Sequence, residues 1–270
     1  MVNRKPPEIA KAVCDAGEKK ARLPFSKMFL LAVLAGVYIG FGAQLATTAS
    51  MDMIPMYGVG VTQVVAGTVF SVGLMLVVLA GAELFTGNNL VLLSCLSNRT
   101  GFLEVVRSWA IVYGGNLVGA LLLVTLVYAG GLYDLGGGAL GLRALAIANG
   151  KVNLGFIPLM ARGVLCNWLV CLAVWLTTST DDAIGKIFAC LFPIMAFVSS
   201  GYEHSVANMF FIPIGILLMG VPSIASQFTG DLSNLTWAGF IGNLIPVTIG
   251  NIIGGAFFVA TLYWYIYKED

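Results

Sequence analysis

Charge is what this sequence has least of: charged residues fill 10% of its 270 positions, where ordinary soluble domains carry about 25%. Hydrophobic residues make up 59%, and that balance makes the chain an integral membrane protein. Histidine is nearly absent too, with a single copy. The five cysteines, Cys14, Cys95, Cys166, Cys171 and Cys190, are scattered, mostly inside apolar runs. No C-x-x-C pair accompanies them, so they read as small apolar core residues rather than metal ligands. One histidine cannot ligate a haem pair, no carboxylates cluster as a metal site, and no Ser-His-acid arrangement can be assigned. The chain is therefore not read as an enzyme, and neither a cofactor nor a metal is expected. A net charge of +1 gives no sign of a nucleic-acid partner.

What is present is a series of oily runs with little between them. The length leaves room for about six spans of roughly 20 residues. Uncharged or nearly uncharged stretches place them at 28–49, 59–82, 108–128, 158–177, 187–221 and 244–267, with residues 51–58, 99–106 and 129–157 as loops and a short half helix from residue 236. Residues 1–27 form an arm bearing Arg4, Lys5, Lys11, Lys19, Lys20, Arg22 and Lys27, too polar and too long for the start of a signal peptide. Residues 9–21 read as an amphipathic helix on the cytoplasmic membrane surface, its basic side chains favouring anionic headgroups. Residues 28–270 are then a single membrane domain. The arm, with Arg99, Arg107, Lys186 and Lys268, outweighs Arg143 and Lys151 on the other side, so both termini are expected in the cytoplasm.

Two polar interruptions break this pattern: Glu83-Leu84-Phe85-Thr86-Gly87-Asn88-Asn89 and Ser199-Ser200-Gly201-Tyr202-Glu203-His204-Ser205. An ionisable group at membrane depth costs about 2.5–3.5 kcal/mol on insertion scales, which points to function. Glycine and asparagine break helices, and in lipid a break survives only where it faces protein or a water-filled cavity. Glu83, Gly87, Gly201 and Glu203 are read as structural at the breaks; a carboxylate would repel an anion, so both are assigned to backbone N–H groups. A weak repeat joins the halves, since Gly115-Asn116-Leu117-Val118-Gly119-Ala120 and Gly250-Asn251-Ile252-Ile253-Gly254-Gly255 share G-N-x-x-G-small. Three spans followed by three equivalents must be inverted, the plan in which interrupted helices meet near the midplane around a substrate. Gly36, Gly40 and Gly42 put a small-residue face on the first span.

The motifs Glu83-Leu84-Phe85-Thr86, Asn116-Leu117-Val118-Gly119, Asn167 to Ala173 and Ser200-Gly201-Tyr202-Glu203-His204-Ser205-Val206-Ala207-Asn208-Met209 together resemble the formate/nitrite transporter family. The resemblance runs from Met28 onward. It implies an aquaporin-like, all-α fold of six spans in two inverted three-helix repeats with the second and fifth broken, although no Asn-Pro-Ala triplet is present. It also implies a homopentamer in the inner membrane, with one pore per protomer passing small monovalent anions. By the same resemblance Leu84, Phe85 and Val170 form the cytoplasmic constriction and Phe70 and Phe197 the periplasmic one. Thr86 and His204 meet the anion between them, Lys151 stands in the vestibule, and Asn208 and Asn251 are supporting polar groups. Formate is the first expectation, with nitrite, hydrosulfide or a proton-coupled carrier as alternatives, because the residues after Thr86 vary with substrate in the family. The physics agrees: apolar rings exclude hydrated ions by dewetting, half-helix N-termini favour an anion, and Thr86 and His204 replace lost water. An imidazole with an ordinary pKa near about 6.5 can also pass a proton to a weak acid.

Overall fold

The computed structural model describes residues 3–268; residues 1–2 of the arm and 269–270 of the membrane domain lie outside them. Among the described residues the regular secondary structure is helical apart from one isolated bridge between Asn3 and Thr180. Helix α1 (Pro6–Ala21) opens with proline at its first positions, where no N–H is lost, and Glu8 accepts the Lys5 N–H at 2.9 Å. Its apolar residues Ile9, Ala10, Val13, Cys14 and Gly17 recur at helical spacing and are buried. They pack on the chain itself, against Leu90 and Leu93 beside the first interruption. The expected helix is there, but its apolar face meets protein, not a lipid surface.

Helix α2 (Phe25–Ser50) follows, then α3 (Met53–Phe70), α4 (Val72–Leu76) and a π-helical turn Val77–Gly81. Residues 51–58 are thus largely helix rather than loop, with Gly58 at φ 72 making the kink. After the break come a 3-10 turn Gly87–Val91 and α5 (Leu92–Leu96), then α6 (Phe102–Ala129). The stretch 129–157, read as a loop, contains α7 (Ala139–Val152), which buries Leu140, Ala144, Leu145 and Ala148. Three consecutive glycines at positive φ hide its start. Helix α8 (Phe156–Thr178) leads to α9 (Ala183–Ser199), the second break, and α10 (Ser205–Leu218). After α11 (Pro222–Ala225), the chain runs without interruption through α12 (Trp237–Ile252), a π-helical segment Ile253–Thr261 and α13 (Leu262–Tyr267). The separate half helix expected at residue 236 does not form; Thr236 instead caps α12, its Oγ1 accepting the Gly239 N–H at 3.0 Å.

Among the described residues, five helical stretches are long and apolar enough to cross a membrane, and α9 and α10 are shorter apolar pieces. The halves α1–α6 and α7–α13 share one packing scheme. Gly115 and Gly119 of α6 lie against the Phe29 and Val33 carbonyls of α2, and Gly250 and Gly254 of α12 lie against the Met160 and Val164 carbonyls of α8 in the same register. A Cβ at Gly119, Gly250 or Gly254 would collide with a backbone carbonyl, and one at Gly115 with the Ala32 side chain. Gly36 meets the Asn116 carbonyl in this way, whereas Gly40 faces Leu123 and Phe210, and Gly42 faces Phe70 and Gly73.

Candidate functional site

Both breaks are held by an asparagine from a facing helix. Where the chain leaves helical geometry its N–H and C=O groups lose partners, and buried backbone groups need them. At the first break Asn116 Oδ1 accepts the Phe85 N–H at 2.9 Å, and its Nδ2 donates to the Ala32 and Glu83 carbonyls at 2.8 and 2.9 Å. At the second, Asn251 Oδ1 accepts the Ser205 N–H at 2.9 Å, and its Nδ2 donates to the Gly163 and Glu203 carbonyls at 2.8 and 3.0 Å. The Glu83 N–H goes to the Leu31 carbonyl and the Glu203 N–H to the Arg162 carbonyl, each at 3.2 Å. Gly201 takes φ 71 at its break. At the other break the positive φ belongs to Gly81, at 83°, while Gly87 opens the 3-10 turn.

The glutamates do a different job from the one assigned. Neither carboxylate takes a backbone N–H. Glu83 receives Lys20 Nζ on both oxygens at 2.9 Å and Asn88 Nδ2 at 2.7 Å. Glu203 receives Lys151 Nζ at 3.1 and 3.0 Å and Asn208 Nδ2 at 2.7 Å. Buried carboxylates persist only when paired and hydrogen-bonded; here each has a lysine from a preceding short helix and an asparagine one turn along its own segment. Asn208 Nδ2 also lies 2.7 Å from Asn243 Oδ1, and Asn243 Nδ2 donates to the Lys151 carbonyl at 3.0 Å.

Thr86 Oγ1 stands 3.0 Å from His204 Nε2, both residues buried. His204 caps α10, its Nδ1 accepting the Ala207 N–H at 3.0 Å. That commits the Nδ1 lone pair, so a neutral ring carries its proton on Nε2 and donates it to Thr86, an assignment made from the hydrogen bonds. The Thr86 hydroxyl proton is then free to point elsewhere. The Thr86 carbonyl is fixed by Asn167 Nδ2 at 3.2 Å and the Cys171 thiol at 3.3 Å, and Asn167 also reaches the Asn251 carbonyl at 2.7 Å.

Apolar side chains are buried around this contact. The Phe70 and Phe197 rings meet edge-on at 5.8 Å, and Phe197 stacks on the His204 imidazole at 5.8 Å. Leu84, Phe85 and Val170 are buried, Phe85 packing edge-on against Tyr113 at 4.9 Å. Two cavities approach from opposite sides. One, of about 450 Å³, is lined by Lys20, Glu83, Leu84, Gly87 and Asn88. The other, of about 330 Å³, is lined by Phe70, Phe197, Lys151, Glu203, His204 and Asn208. Thr86, Phe85 and Val170 border neither, nor does Asn251, which braces the backbone from behind.

Helix α1 is part of the site through Lys20, and charges outside the spans pin it. Arg99 pairs with Asp15 and with Glu18 at 3.2 Å, Arg22 with Glu18 at 2.6 Å, and Arg4 with Asp181 at 3.0 Å. The Arg4 guanidinium holds the Asp181 carboxyl below its usual range, and the Cys14 thiol and Asp15 hold the Arg99 guanidinium more firmly protonated. Sequence reasoning missed Lys20, Asn88, Asn116 and Asn167 as site residues. A signal for Asn88 exists: Glu83 to Asn88 and Glu203 to Asn208 repeat the same E-x-x-x-x-N spacing. Among the described residues no three His, Cys, Asp or Glu side chains gather as metal ligands would.

Comparison with known proteins places this arrangement. A family model described as formate/nitrite transporter matches residues 7–265. A probable formate transporter from Methanothermobacter thermautotrophicus is 45% identical over 284 residues, covering 99% of this chain and 98% of that protein. The formate channel FocA of Escherichia coli K12 is 41% identical over 273 residues, covering 98% and 95%. A solved pentameric formate channel with formate bound is 39% identical with a TM-score of 0.81, covering 91% of this chain and 98% of that one.

Proposed function

The chain belongs to the formate/nitrite transporter family, and from that membership we propose that it is a membrane channel for small monovalent anions, formate first, acting as a homopentamer with a pore in each protomer. The observation that carries this reading is the Thr86–His204 contact, 3.0 Å long, between cavities that enter from opposite sides. The α1 side faces the cytoplasm and the α7 side the outside of the inner membrane, with six spans in two inverted halves and α9 and α10 together as the fifth.

An anion arrives in a vestibule whose floor is a lysine already paired with a buried glutamate. Leu84, Phe85 and Val170 on one side, and Phe70 and Phe197 on the other, strip its water, since apolar constrictions exclude hydrated ions. Between them the Thr86 hydroxyl donates to the ion, oriented because its oxygen accepts from His204 Nε2. The N-terminus of α10, fourteen residues long, adds a favourable potential for negative charge. His204 works as a neutral donor: protonating Nδ1 would displace the Ala207 N–H, so the proton relay expected from an isolated imidazole is not part of this reading. Glu83 and Glu203 set the lysines in place.

Flux of formate, nitrite and hydrosulfide into liposomes carrying the purified protein tests the substrate. Formate should pass fastest. Flux of all three no greater than in protein-free vesicles would overturn the channel reading, and nitrite or hydrosulfide well ahead of formate would overturn the choice of anion.

A further inference from the structure

The two vestibules are built alike up to a point and then differ in charge. The α1-side cavity is lined by Lys20 and Glu83, a balanced pair. The α7-side cavity is lined by Lys151 and Glu203, a second balanced pair, and by two more cations, Arg143 and Arg162. Arg162 occupies the place held in the other half by Leu31: the Arg162 carbonyl accepts the Glu203 N–H and the Leu31 carbonyl accepts the Glu83 N–H, and Leu31 lines the opposite cavity. So one half puts an oily side chain where the other puts a guanidinium.

Neither arginine has an acidic partner among the described residues. Arg143 is half-buried and donates only through Nε, to Ser50 Oγ at 3.0 Å, leaving both terminal nitrogens of its fork unpaired. Arg162 makes one long contact, Nη1 to the Gly201 carbonyl at 3.5 Å. The cavity's sole carboxylate, Glu203, already receives Lys151 and Asn208. A half-buried cation lacking a counter-charge loses hydration without recovering it, and a cleft lined by one sign of charge concentrates the opposite ion.

We propose that Arg143 and Arg162 form an anion-docking station in the α7-side vestibule, ahead of Lys151, that takes small carboxylates through their planar forks and raises capture of dilute anion from that side. A guanidinium presents parallel N–H donors that match the two oxygens of a carboxylate, which a one-centre anion such as hydrosulfide cannot engage together. The station has no counterpart on the α1 side, so capture is asymmetric although the central contact is shared. This rests on the anion-channel reading above.

The test uses the intact oligomer in liposomes sorted by orientation, with formate applied to one face at a time. Arg162→Leu copies the opposite half at an exposed position, and Arg143→Gln keeps a hydrogen-bonding side chain beside Ser50. For formate applied to the α7 face, the double variant should raise the half-saturating concentration by about tenfold, the low end of what electrostatic focusing produces. Maximal flux and half-saturation from the α1 face should stay as in wild type, and hydrosulfide should be affected less than formate. Added inert salt should raise the wild-type value from the α7 face and scarcely move that of the double variant. An unchanged half-saturation in assembled Arg162→Leu, or equal change from both faces, overturns the proposal. The wild-type salt series decides if Arg143→Gln fails to assemble: no rise with salt from the α7 face also overturns it. If wild-type protein passes no formate from either face, the channel reading itself is at fault.

Discussion

At the scale of single residues the site depends on polar groups that cannot be buried without partners. His204 spends one ring nitrogen on the Ala207 N–H and aims the other at Thr86. Replacing His204 by Asn shortens the reach to Thr86, and losing one hydrogen bond worth about 1.5 kcal/mol should slow formate flux about tenfold. Since the ring acts as a neutral donor, the Asn variant should keep the shape of the wild-type flux profile between about pH 5 and 8, the range in which an unperturbed imidazole titrates; a profile that flattens would mean His204 titrates after all. Asn251 makes three hydrogen bonds to buried backbone groups. Asn251→Leu leaves each unsatisfied at about 1–3 kcal/mol apiece, enough to prevent assembly, which size-exclusion chromatography in mild detergent would report. Thr86 and His204 were paired from the family resemblance, the lone histidine also standing out inside an oily run, and the structure brings the two within 3.0 Å. Lys20 was not legible in the sequence: it sits among solvated lysines, and its partner lies 63 residues away.

At the scale of elements, helix α1 behaves as part of the membrane domain. Its Lys20 lines the first cavity as Lys151 of α7 lines the second, each paired with a carboxylate that an asparagine also contacts. Lys20→Met leaves the buried Glu83 without its cation. With the lysine about a third exposed, the cost should be about 2 kcal/mol, between the surface and buried limits for ion pairs. Pairing it with Glu83→Gln should recover most of that loss, since the double change removes both charges; thermal unfolding of the solubilised oligomer measures it, and strictly additive losses would contradict the pairing. The broken helices could be placed from sequence to within a few residues because polarity inside an apolar run marks a break. Helix α7 could not, since Gly136-Gly137-Gly138 and a small-residue run look like linker until packing against α10 is known. The glutamates misled for a related reason: residue type tells that a buried carboxylate needs donors, and only the fold tells that lysines from α1 and α7 supply them.

At the scale of the whole molecule, the two halves meet around one point. The reading places α1 in the cytoplasm, so single cysteines at Asp52 and Asp231 should react with a membrane-impermeant thiol reagent from outside, and one at Arg99 should not; the reverse pattern would invert the topology. Closed cyclic assembly fixes no copy number by itself, and a native mass in mild detergent showing monomers or dimers alone would contradict the pentamer. The repeat was visible in sequence only as G-N-x-x-G-small, whereas the structure gives the reason for it: the glycines admit a carbonyl and the asparagine between them holds a break. The account as a whole stands on the contact where the halves meet, and one comparison tests it most directly. Formate flux into liposomes is measured for wild type and for Thr86→Val with His204→Leu, a pair that preserves bulk and removes both hydrogen-bonding groups, with each protein first verified as the assembled oligomer. The account predicts rapid, saturable flux in wild type and flux in the double variant falling to that of protein-free vesicles; a double variant that conducts formate as wild type does would contradict it.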